Sequence, residues 1–131
     1  MSSSVSEPAA VVERLFAELG LLPRVTRVAP TVWALAKGSA VVQVVAAPDF
    51  VVATAKICDR VPADGGERFL ADLLRANQSM LGAFFTLEND GSVRVNQVMP
   101  IGWLQAEELA FVVGNVANQA DVWDDRLKPA P

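Results

Sequence analysis

The stretch from Asp64 to Met99 constrains this chain more than any other, because a helix signal, a turn and two alternating strands follow one another in it. Asp64 and Glu67 stand at capping-box spacing ahead of the apolar run Phe69, Leu70, Leu73 and Leu74, with Asp in the place usually held by Ser or Thr. That spacing predicts a helix from about Gly65 to Gln78. Ala83 to Glu88 and Ser92 to Met99 then read as strands on either side of Asn89-Asp90-Gly91. A short loop ending in glycine suits a type I turn closed by a left-handed residue and a bulge. In that register Leu87 faces Val93 and Phe85 faces Val95.

The remainder reads as packing around this unit. Ser6 is placed to cap a helix reaching about Leu19, with Glu7 and Pro8 in its first turn and Val11, Val12, Leu15, Phe16 and Leu19 at helical spacing. Leu21 to Pro30 is a connector bracketed by prolines, with a short extended piece at Val25 to Val28 inside it. Thr31 to Ala36, Ser39 to Ala46 and Phe50 to Asp59 are rich in Val, Thr and Phe and read as a meander of strands. A hairpin turn at Lys37-Gly38 would pair Leu35 with Ala40 and Trp33 with Val42, giving one face Trp33, Leu35, Val42 and Val44. A last helix runs from about Gln105 to Asp125 with the stripe Leu109, Val112, Val113, Val116, Ala120, Trp123 and Leu127. Residues 1–6 and 128–131 are expected to be frayed tails on a single domain spanning 1–131.

The element order is therefore α-β-β-β-α-β-β-α. With meander connections it predicts an α+β fold in which a five-stranded antiparallel sheet has helices packed against it. The first strands are apolar on both faces: Val32, Val41, Val45, Phe50 and Val52 lie opposite the face named above, with Phe84 and Val98 adding to them. An antiparallel sheet with one wet face alternates cleanly, and this one does not. Either a second molecule covers that other face or the Asp64 helix folds back over it.

Composition narrows the chemistry. Hydrophobic residues make up 52% of the 131, above the usual ~45–50%, yet no apolar run approaches the ~20 residues of a membrane span. No basic, apolar leader is legible at the start of the chain, so a cytoplasmic setting is expected. The chain has no histidine, which removes the commonest general base, the commonest metal ligand and every histidine-activated nucleophile. The single cysteine, Cys58, falls on a strand and reads as a buried structural thiol. Glu107-Glu108 and Asp124-Asp125 are neighbours in sequence and do not share a helix face. Asp64-Gly65-Gly66-Glu67 lacks the lysine of a phosphate loop, and Asn89-Asp90-Gly91 lacks the ligand spacing of a calcium loop. A net charge of −4 with eleven scattered basic residues argues against a nucleic-acid surface. No enzymatic activity, cofactor or metal is expected.

The run Phe69-Leu70-Ala71-Asp72-Leu73-Leu74-Arg75-Ala76-Asn77-Gln78-Ser79-Met80-Leu81-Gly82-Ala83-Phe84-Phe85-Thr86-Leu87, followed by Asp90-Gly91-Ser92-Val93, Met99-Pro100, Leu104, Glu107-Glu108-Leu109 and Ala120-Asp121, resembles the YbjN-like and type III secretion chaperone-like families. The shared pattern is a Leu-Leu-x-x-Asn helix end, a Gly before a Phe-x-Leu strand, an Asp-Gly turn and a Leu-x-x-Glu-Glu-Leu helix start. It covers about residues 64 to 127, the first half agreeing in element order. The resemblance implies a small non-enzymatic homodimer that binds a partner protein as a chaperone-like or regulatory adaptor, with the Asp64 helix and the strand after it in the dimer contact. Candidate dimer or partner contacts are Leu73, Asn77, Met80, Leu81, Phe84 and Val98. A small-ligand sensor with a pocket between sheet and helices is the alternative reading.

Overall fold

The computed structural model describes residues 6–80 and 82–127. The expected tails lie outside these residues except for Ser6, where the first helix begins, and so does Leu81. Helix α1 (Ser6–Glu18) is followed by a 3-10 turn (Leu22–Arg24) and four strands, β1 (Val25–Ala29), β2 (Val32–Lys37), β3 (Ala40–Ala46) and β4 (Phe50–Cys58). Helix α2 (Gly66–Asn77), strands β5 (Ala83–Leu87) and β6 (Val93–Pro100), a 3-10 turn (Ile101–Trp103) and helix α3 (Ala106–Leu127) complete the chain. The architecture is α+β, with an antiparallel sheet of six strands in the order β1-β2-β3-β4-β6-β5.

Two features of that order differ from the expectation. The Val25–Val28 piece is a full edge strand, pairing Val25 with Leu35 and Arg27 with Trp33, so the sheet gains a sixth strand. The second half is not a meander, because β6 lies between β4 and β5. A helical crossover returns the chain in its original direction. After α2, β5 therefore runs parallel to β4, and only β6 is oriented to pair antiparallel with it.

Local chemistry explains most boundaries. Phe85 pairs with Val95 and Leu87 with Val93, as the turn residues require. Gly91 sits at φ +89, and Glu88 and Ser92 close the loop through a 2.8 Å hydrogen bond. The Asp90 carboxylate accepts the Ser92 N–H at 2.9 Å and the Ser92 hydroxyl at 2.6 Å, which together hold it below its ordinary pKa. The first hairpin turns at Gly38-Ser39 instead of Lys37-Gly38: Lys37 pairs with Ala40, Leu35 with Val42 and Trp33 with Val44. Gly38 takes φ +62 at the first turn position, where positive φ favours glycine. Each partner moves by two residues, so every side chain keeps its face. The capping box does not form, since Gly65 at φ +77 occupies the N-cap position and offers no side chain. Asp64 lies one residue too early to reach the first turn.

The core lies on one side of the sheet. Trp33, Leu35, Val42, Val44, Val51, Ala53, Ala55, Phe85, Val93, Val95 and Met99 are buried together with Val12, Leu15 and Phe16 of α1 and Leu109, Val112, Val113, Val116 and Ala120 of α3. The Phe16 and Trp33 rings meet edge to face at 6.3 Å. Trp33 also donates its indole N–H to Glu13 at 3.3 Å, and Glu13 pairs with Arg27 of the edge strand at 3.1 Å. Helix α2 is joined to the same side through Phe69 and Leu73, the Phe69 ring lying 6.0 Å from Trp123, which itself stands 5.3 Å from Phe85. Of the two alternatives for the other face, the one in which α2 folds back over it is not what the structure shows. All three helices leave that face open.

Candidate functional site

The open face is laid out in rows that cross the strands. Val32, Val45, Val52 and Val98 are successive cross-strand partners on β2, β3, β4 and β6 and form one apolar row. At ~4.8 Å between strands the row is roughly 14 Å long. Two residues further along each strand, roughly 7 Å away, lies a second row of Ala34, Gln43, Thr54, Asn96 and Phe84. Beyond it Lys56 is opposite Arg94, and Arg94 is opposite Thr86. Val41 at 59% exposure, Phe50 at 48%, Val98 at 41% and Phe84 at 38% show how little of the chain covers this side.

The polar residues on the face are joined. Arg94 lies across β4, donating from Nε to the Thr54 hydroxyl at 3.0 Å and from Nη2 to the Gln43 amide oxygen at 3.3 Å. Thr54 donates to Asn96 Oδ1 at 2.7 Å, Asn96 Nδ2 donates to the Thr86 hydroxyl at 2.9 Å, and Thr86 donates to Glu88 Oε2 at 2.6 Å. The bonds run in one donor-to-acceptor direction from a guanidinium to a carboxylate, an arrangement in which each bond polarises the next. It fixes the side chains of four strands and is the reason Thr54 is buried on an otherwise open surface. The ion pairs Arg27–Glu13, Lys56–Asp59 and Arg75–Asp72 do not involve Arg94, whose hydrogen bonds go to the neutral oxygens of Thr54 and Gln43.

A second apolar region lies where α2 meets the sheet edge. Leu70, Leu73, Leu74, Asn77, Phe85, Thr86, Leu87 and Val93 line a cleft of about 200 Å³. Leu74 is 68% and Leu87 56% exposed at its rim. Asn77 Oδ1 accepts the backbone N–H of Phe85 at 2.8 Å, so the helix end occupies a donor on the outer edge of β5 that a further strand would otherwise use.

The residues singled out from the sequence do not converge on one place. Leu73 is buried and anchors α2, Asn77 ties α2 to β5, and Met80 packs partly against the core. Phe84 and Val98 are exposed on the open face, and Leu81 lies outside the described residues. Strand alternation in β5 and β6 by itself puts Thr86, Arg94 and Asn96 on the face of Phe84, but it does not give their connection to Gln43 and Thr54. The available signal was strand parity in β3 and β4, whose residues 43 and 54 share a face only once the strands are in register. Leu74, Trp103 and Phe111 were further exposed apolar residues without a sequence signal. Among the described residues no group of three or more His, Cys, Asp or Glu is placed to hold a metal. Partial burial pushes the Cys58 thiol above its ordinary value, which disfavours the nucleophilic thiolate. No helix among the described residues is long and apolar enough to cross a membrane.

This combination, helices on one side of a six-stranded antiparallel sheet with α2 at its edge, is the α+β fold seen in type III secretion chaperones and in YbjN. The chain superimposes with a TM-score of 0.65 on a chain of the Yersinia pestis type III secretion chaperone SycH in complex with a YscM2 fragment, at 20% identity over 91% of this chain and 98% of that one. A chain of the heterodimeric ExoU–SpcU complex from the Pseudomonas aeruginosa type III secretion system gives 0.72 at 12% identity, over 91% and 99% of the two chains. YbjN from E. coli gives 0.63 at 15% identity, over 88% and 87%. No family model and no curated protein matches the sequence. The resemblance read from residues 64 to 127 is thus met at the level of the fold.

Proposed function

We propose that the chain is a non-enzymatic, chaperone-like or adaptor protein of the cytoplasm that works as a homodimer and holds a partner protein against apolar sheet and helix surface. The observation that carries this reading is the uncovered face: a single chain with six strands puts all three helices on one side and leaves Val41, Val98, Phe50 and Phe84 exposed and Val32, Val45 and Val52 half-buried. Contiguous exposed apolar surface is characteristic of association sites. Chaperone complexes with partner proteins share the fold, as with SycH and YscM2, which adds support. We assign the dimer contact to the α2–β5 edge, where Leu74 and Leu87 are exposed at the cleft and Phe84 is exposed on the open face of the same strand, leaving the valine row for the partner.

Light scattering of the purified chain at micromolar concentration is expected to give the mass of two copies, and Phe84→Glu to shift it toward one. A strict monomer removes the dimer from the proposal; a dimer unchanged by Phe84→Glu moves its contact to another surface. Affinity capture from native lysate is expected to return one reproducible, stoichiometric protein. Its absence alongside a specific small molecule that raises the melting temperature would favour a ligand sensor.

A further inference from the structure

The open face is apolar along one row and carries the cations Lys56 and Arg94 two rows further along the strands, on a chain whose net charge is −4. The Arg94 guanidinium reaches over Thr54 to Gln43. Its charge therefore flanks Val52 and Val45 at a distance of one row, roughly 7 Å. Lys56 is its direct cross-strand neighbour, and like charges placed opposite each other on a sheet are unfavourable unless something compensates them. Lys56 leans to Asp59 at 2.9 Å in an exposed pair, a contact of the weak, exchangeable kind. Arg94 has its donors on neutral oxygens, with Glu88 at the far end of the hydrogen-bond chain.

Any partner that covers the valines must also cover Arg94. Apolar atoms alone would remove water from a guanidinium with no counter-charge, which is costly. A second copy docked about a two-fold axis close to Arg94 would bring Lys56 and Arg94 toward their own duplicates. Nucleic acid fits poorly, because two cations do not track a phosphate backbone and valines offer no stacking surface. Resting on the protein-binding reading above, we propose that this face takes an acidic amphipathic segment of a partner protein. Its apolar side chains lie along Val32, Val45, Val52 and Val98, and its carboxylates meet Arg94 and Lys56. The row's length suits about 12 residues of helix, since three turns rise roughly 16 Å.

A random display library of peptides of about 12 residues, selected on the full chain, tests this. Enriched sequences are expected to combine apolar residues with Asp or Glu. Affinity of the best peptide, read by fluorescence anisotropy, is expected to fall at least about tenfold with Arg94→Glu and with Lys56→Glu. It should fall likewise when the peptide's acids become amides, and remain unchanged with Arg14→Glu, which makes the same charge change on the exposed surface of α1. Should Arg94→Glu fail to fold, as judged by circular dichroism, Lys56→Glu decides, since Lys56 is exposed and gives up only its surface pair with Asp59 and a charge attraction to the exposed Asp90. Enriched peptides without acids, or affinities indifferent to both reversals, overturn this inference and leave the protein-binding reading standing. A change of oligomeric mass on Lys56→Glu with no change in peptide affinity makes the face a self-interface and also overturns it. Failure to enrich any peptide counts against both.

Discussion

Trp123→Ala is expected to detach α2 from the molecule before it unfolds the sheet. Trp123 is 5% exposed and stands between Phe69 of α2 at 6.0 Å and Phe85 of β5 at 5.3 Å, with the Arg126 guanidinium 4.2 Å above its ring. Truncating a buried tryptophan costs about 3–5 kcal/mol, and each edge-to-face ring pair contributes roughly 0.5–1.5 kcal/mol of specific coupling within that. The helix is 12 residues long and buries Gly66, Phe69 and Leu73. Helices shorter than ~12–15 residues are marginal on their own in water, so without its tryptophan contact α2 is held only by the burial of Leu73 and the Asn77 bond to β5, and it loosens first. Urea unfolding should give the loss of about 3–5 kcal/mol, and hydrogen exchange should place the largest loss of protection in residues 66–77. A double-mutant cycle of Phe69→Leu and Trp123→Leu isolates the ring pair, with an expected coupling of about 0.5–1.5 kcal/mol. A loss below ~1 kcal/mol, or an α2 that stays as protected as β3 and β4, would refute this account of how the helix is held.

Gly38→Ala is expected to destabilise by about 1–2 kcal/mol, because Gly38 sits at φ +62 and an added Cβ would stand 2.9 Å from Asp121 Oδ2. The same carboxylate accepts the Ser39 hydroxyl at 2.6 Å, so it would have to swing aside and strain or lose that bond; Gly102→Ala, with open space around it, should change urea stability by less than ~0.5 kcal/mol. Cys58 should react more slowly with iodoacetamide in the folded chain than in urea at the same mildly alkaline pH, because burial raises its thiol pKa. The sign of the linkage follows: stability from the protonated thiol is present below the unfolded pKa and lost as pH rises through the folded one. Urea stability of the wild type should therefore fall off faster on the alkaline side than that of Cys58→Ala, and parallel curves would refute it.

Elements with strong periodicity were legible without the fold. The buried stripe of α3, Leu109 to Trp123, is the one its 3.6-residue spacing indicates, and Asn89-Asp90-Gly91 set the β5–β6 register because its turn type leaves one pairing. Face assignments in β2 and β3 survived a misplaced turn, since the error moved partners by an even number of residues. The failures have a common origin in distant partners. Val25–Ala29 has only Val25 partly buried, so its strand character comes from pairing with β2 and not from its own pattern. The start of α2 depends on Gly65 adopting φ +77 as the chain leaves β4, a backbone matter that Asp64 and Glu67 do not report.

What the amino-acid order determined by itself is therefore the set of elements, their inward faces and the surplus of valines on the outward one, all consequences of local periodicity. Tertiary structure decided where β6 goes. The crossover through α2 returns the chain parallel to β4, and β6 enters between β4 and β5, which keeps both of these pairings antiparallel. That insertion sets Arg94 opposite Lys56 and Asn96 opposite Thr54, and it aligns Val98 with the valine row. Arg94 and Gln43 are 51 positions apart and meet only because the sheet brings β3, β4 and β6 side by side.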